Sequence, residues 1–116
     1  MATGFVTTKA NQDPITLSVS AHGAMASTSI FLNGHWIKTI EGDFKDFYVG
    51  TNSGVKGNNL VLTTQVARFP GNLNSSTVDF YIGGAADVQP DNPTTSNKNF
   101  QNEAPNVPHF MTYYFI

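Results

Sequence analysis

Cysteine is absent from the chain, so disulfides, a cysteine nucleophile and cysteine-ligated zinc are all excluded. The absence permits a reducing compartment without establishing one. Charge is also scarce, with six basic against eight acidic residues making up 12% of the chain, about half the share of an ordinary soluble protein. Lys9, Lys38, Lys45, Lys56, Arg68 and Lys98 are too few and too scattered to neutralise a run of phosphates, which argues against a nucleic-acid partner. No stretch approaches the roughly 20 consecutive apolar residues of a membrane span. Residues 1–9 lack the apolar run of a signal peptide. The expectation is synthesis in the cytoplasm, with release by a signal-independent route as the alternative.

Helix formers are missing too: Glu occurs twice and Leu five times, whereas Thr, Asn and Ser number 13, 12 and 8. That is a strand-and-turn composition. A chain of 116 residues can build one hydrophobic core without a metal or a disulfide. Ile15, Leu17, Val19 and Ala21 alternate with Thr16, Ser18 and Ser20, the period-two pattern of a strand with one wet face. Ser29 to Leu32 meets Asn33-Gly34 and resumes at His35 to Ile40, a two-residue hairpin because both turn positions tolerate positive φ. Further strands are expected at Phe5–Thr8, Phe44–Val49, Leu60–Phe69 and Thr77–Ile82, separated by Gly, Asn and Ser clusters. Residues 90–108 read PDNPTTSNKNFQNEAPNVP, with four prolines and many amides, and predict a long loop or arm. It leads to a terminal strand at 109–116, apolar or aromatic on both faces. The expected fold is therefore all-β: a single antiparallel β-sandwich domain spanning 1–116, jelly-roll or immunoglobulin-like, of about seven to eight strands.

The candidate bases are His22, His35 and His109, but no G-x-S-x-G elbow accompanies them, so the reading is not an enzyme and assigns no catalytic residue. Histidines at zinc-ligand spacing are absent. Glu41, Asp43 and Asp46, and separately Asp87, Asp91 and Asn92, offer oxygen ligands for calcium, yet neither set matches an EF-hand loop. Carboxylates in turns ordinarily bond local backbone. Residues 50–57 lack P-loop spacing despite Lys56. Asn74-Ser75-Ser76 matches the glycosylation triplet, which matters only in a eukaryotic secretory pathway. Neither a metal nor a cofactor is expected.

Two functional readings follow. The first is a structural or assembly subunit, a homo-oligomer or a partner of other protein subunits, that uses the arm and the terminal strand through Phe100, Phe110, Tyr113, Tyr114 and Phe115. The second is a carbohydrate-binding, lectin-like module in which Trp36 stacks on a sugar while Asp43, Asp46 and Asn52 take its hydroxyls.

Overall fold

Asn33 and Gly34 adopt φ of 51° and 80°, as a two-residue hairpin turn requires, and fold β3 (Met25–Leu32) back on β4 (His35–Glu41). The computed structural model describes residues 2–22, 25–67, 75–99 and 106–116. Its other strands are β1 (Ala2–Thr7), β2 (Pro14–His22), β5 (Phe44–Thr51), β6 (Asn59–Ala67), β7 (Ser75–Gly83), β8 (Asp87–Gln89), β9 (Thr94–Asn99) and β10 (Asn106–Phe115). One helical turn, α1 (Asn52–Val55), links β5 to β6. Among the described residues no helix is long and apolar enough to cross a membrane.

The strands form two packed sheets, six-stranded in the order β4-β3-β6-β10-β1-β8 and four-stranded in the order β5-β2-β7-β9. The chain is an all-β sandwich, and among the described residues all strand pairs are antiparallel except β1 with β10, which run parallel. The described residues contain ten strands rather than seven to eight. Of the two additions, β8 is three residues long with Val88 in the core, and β9 is polar.

β9 corrects the reading of 90–108 as a loop: Thr94–Asn99 pairs along β7 as the edge of the smaller sheet. An edge strand has one unpaired side and little to bury, so TTSNKN needs no apolar alternation to hold its place. The last strand also begins earlier than 109, at Asn106.

β10 lies between β6 and β1 in the larger sheet, and its inward residues Met111, Tyr113 and Phe115 are fully buried. Opposite them stand Leu17 and Val19 from β2 and Phe80 and Ile82 from β7. The Tyr113 hydroxyl donates across the sandwich to the Phe80 carbonyl at 3.4 Å, and burial pushes its pKa up to about 12. A side chain at Gly4 would meet the Tyr113 ring at 2.9 Å, so β1 supplies a glycine where the ring presses closest. The larger sheet also buries a hydroxyl pair, Thr28 with Thr64 at 3.0 Å, each satisfying the other.

Candidate functional site

Strand alternation sends every second side chain of the larger sheet outward. Register then aligns those side chains into cross-strand rows. Trp36 stands opposite Phe31, Phe31 opposite Val61, and Val61 opposite Thr112. A neighbouring row runs Asn59, Tyr114, Phe5. The rings of Phe5 and Tyr114 stack at 5.7 Å with 26° between their planes. Phe5, Trp36, Phe110 and Tyr114 are all exposed, and the outward positions of β3, β6, β10 and β1 carry no charged residue. Glu41 on β4 and Asp87 on β8 stand at the two edges. The Lys98 ammonium approaches from β9 to 5.4 Å of the Phe110 ring centre, a cation–π contact.

The outer face of the smaller sheet has a different chemistry. An open groove of about 750 Å³ runs over it, lined by Ser18, Ser20, Asp43, Phe44, Asp46 and Tyr81 together with Asp79 and Lys45. Asp43 accepts from the Ala21 amide at 2.9 Å and the Ser20 hydroxyl at 3.3 Å. Asp79 accepts from Thr95 Oγ1 at 2.6 Å, and its other oxygen lies 2.6 Å from His22 Nε2. Burial works to raise the Asp79 pKa, but the hydrogen bonds from Thr95 and His22 and the charge of His22 outweigh it and hold the carboxyl below its usual value. Asp46 takes a positive φ of 56° where β5 slips register against β2, and its amide donates to Ser18 Oγ at 2.9 Å.

The residues read from the sequence as a sugar site do not gather in one place. Asp43 and Asp46 share the groove, whereas Trp36 belongs to the opposite sheet, its indole N–H bonded to Thr39 Oγ1 at 3.1 Å. Asn52 is buried and structural: its Oδ1 accepts from the Lys9 amide at 2.9 Å, and its Nδ2 donates to the carbonyls of Asp13 at 2.8 Å and Gly84 at 2.9 Å. Replacing it with Ala strands those buried backbone groups, and Asn52→Ala is expected to cost about 2–3 kcal/mol in a urea unfolding titration. A change within ~0.5 kcal/mol, as at an ordinary surface site, would contradict a structural role.

The proposed assembly residues divide between the two faces of β10. Phe110 and Tyr114 point outward, but Tyr113 and Phe115 lie in the chain's own core and present nothing to a neighbour. A hydrophobic strand buried on one face and aromatic on the other reads from sequence as uniformly apolar, which is why all four were grouped. Phe100 lies outside the described residues. Sequence reasoning passed over Phe5, Asp79 and Tyr81. The alternation of their strands places them outward, but the β1–β10 and β2–β7 registers that give them neighbours are long-range.

The three histidines occupy separate environments. His22 meets Asp79 on the smaller sheet, and His35 is exposed beside the hairpin turn. His109 is fully buried between Ser76 Oγ at 2.6 Å and Ser96 Oγ at 2.8 Å. Burial, with repulsion from Lys98 second, pushes its pKa down to about 4. Among the described residues no group of three His, Cys, Asp or Glu side chains converges closely enough to hold a metal ion. Comparison with protein-family models, curated proteins and solved structures returns no match.

Proposed function

We propose that the protein is a non-enzymatic β-sandwich subunit that assembles with further copies of itself through the outer face of its six-stranded sheet. The observation that carries this reading is the stacked, exposed pair of Phe5 and Tyr114, with Phe110 further along β10 and Trp36 on β4, on strands whose outward positions carry no charged residue of their own. Scattered exposed apolar residues are ordinary, whereas aromatic side chains stacked on an outward sheet face, as Phe5 and Tyr114 are, favour a contact surface. The outward positions of β3, β6, β10 and β1 bring no like charges against a copy, Glu41 and Asp87 stay at the rim, where interfaces are polar, and Lys98 at Phe110 is the charge such a contact has to accommodate. Six strands about 4.8 Å apart make the sheet roughly 24 Å wide, a scale that suits an interface of about 800 Å² per partner. This replaces exchange of the terminal strand as the mode of contact: β10 completes its own core, and its outward aromatics do the joining.

Light scattering during size exclusion tests the reading directly. The expected result is a discrete oligomer, or a mass that rises with loading, above the 12.6 kDa of one chain. Tyr114→Lys, which puts a charge beside Phe5 at an exposed position, is expected to return the mass to the monomer without altering the far-ultraviolet spectrum. A wild-type chain that stays monomeric up to millimolar concentration would sink the proposal.

A further inference from the structure

The aromatic face leaves the groove on the smaller sheet without a role. We propose that this groove binds a neutral or amino-bearing glycan, gripped by Tyr81 and by the carboxylates of Asp43, Asp46 and Asp79.

The lining supplies the three things a sugar needs. Tyr81 is an exposed ring, able to lie against the C–H face of a pyranose. Ser18, which accepts from the Asp46 amide, keeps its proton to donate, Ser20, which donates to Asp43, keeps lone pairs to accept, and the carboxylates accept only. Sugar hydroxyls are donors, so an acceptor-rich wall complements them. Its volume falls within the range of small-molecule sites.

Two of the acceptors are held in place before any ligand arrives. Asp43 is fixed by the Ala21 amide and Ser20, and Asp79 by Thr95 and His22. An ionised carboxylate has about four lone-pair positions, so each keeps sites free for a ligand after these bonds are made. Fixing the acceptors in advance lowers the ordering cost of binding.

A cation is the weaker candidate for this groove. A metal ion requires its oxygens to converge on one point about 2.3–2.6 Å away, and among the described residues no such trio converges. The acceptors come from separate parts of the chain, Asp43 and Asp46 around the start of β5 and Asp79 on β7, an arrangement that suits several hydroxyls of an extended ligand. Charge narrows the class further. Three carboxylates against Lys45 and His22 disfavour phosphorylated, sulfated or uronic-acid sugars and tolerate an ammonium group.

The test is an array of neutral, amino-bearing and acidic oligosaccharides probed with the full chain, followed by calorimetry on the best binder. Binding is expected among the neutral or amino-bearing members. Tyr81→Ala is expected to weaken it about tenfold, the equivalent of a stacking contact, and Asp79→Asn to weaken it as well. Tyr81 is exposed, so Tyr81→Ala is expected to leave the unfolding midpoint unchanged, whereas Asp79→Asn gives up charge-assisted bonds to Thr95 and His22 and its binding is measured at a temperature where the variant is still folded. Tyr114→Lys, on the opposite sheet, should leave the affinity of each site unchanged, which separates this groove from the assembly face. The proposal is overturned by no binding anywhere on the array, by preference for acidic sugars, or by affinity indifferent to Tyr81→Ala.

Discussion

A chain ending at Val107 is expected not to fold. The deletion takes away most of β10, which is bonded to β6 on one side and β1 on the other, so it splits the larger sheet through its middle. It also removes the fully buried His109, Met111, Tyr113 and Phe115. Truncating a single large core side chain costs about 2–5 kcal/mol, against a total stability of roughly 5–15 kcal/mol for a domain. Losing several at once, with the backbone bonds of a central strand, exceeds that margin. Circular dichroism should show no cooperative thermal transition, and the methyl region of the proton spectrum should collapse to unfolded shifts. A folded monomer that had merely stopped assembling would mean that β10 belongs to a neighbour's sheet after all.

The second large effect is loss of stability in mild acid. His109 sits neutral in the core with its pKa near 4, while in the unfolded chain an imidazole titrates near 6.5. Between those values the unfolded state takes up a proton that the folded state refuses, so stability rises with pH across the interval. The contribution is complete above about pH 6.5 and is lost as pH falls through 4, about 3 kcal/mol in all. Asp79, held below its usual value, adds a loss of the same sign at still lower pH. His109→Gln keeps an amide able to bond Ser76 and Ser96 but cannot titrate. Urea midpoints measured from pH 7 to 4 should fall steeply in the wild type and much less in the variant. Parallel slopes would show that His109 does not carry the effect.

The hairpin at Asn33-Gly34 and the strand from Ile15 were legible because the signals are local: two turn residues in one case, strict alternation in the other. β9 was not, since Thr94–Asn99 holds to β7 by backbone bonds and only Thr94 among its side chains is buried. β10 was legible as a strand but not as a centre. Apolar residues on both faces predict burial against something, and whether that is the chain's own sheet or another's depends on pairings with β1 and β6 across the whole length of the sequence. The groove was half legible. Asp43 and Asp46 stand close in the chain, whereas Asp79 and Tyr81 join them only through the register of β2 with β7. Trp36 was grouped with Asp43 and Asp46 because they stand close in the chain, whereas the fold puts them on opposite sheets, a separation only long-range pairing reveals.

The two layers of the sandwich turn their outer faces in opposite directions. A pair of chains joined back to back through their larger sheets therefore carries its two grooves on the far sides of the particle, pointing away from each other. Such a particle cannot close both grooves on one flat glycan layer, so pairing adds no avidity there. It can instead bridge two separate surfaces, as a two-ended cross-linker, and agglutination of glycan-coated beads would appear only while the pair holds together.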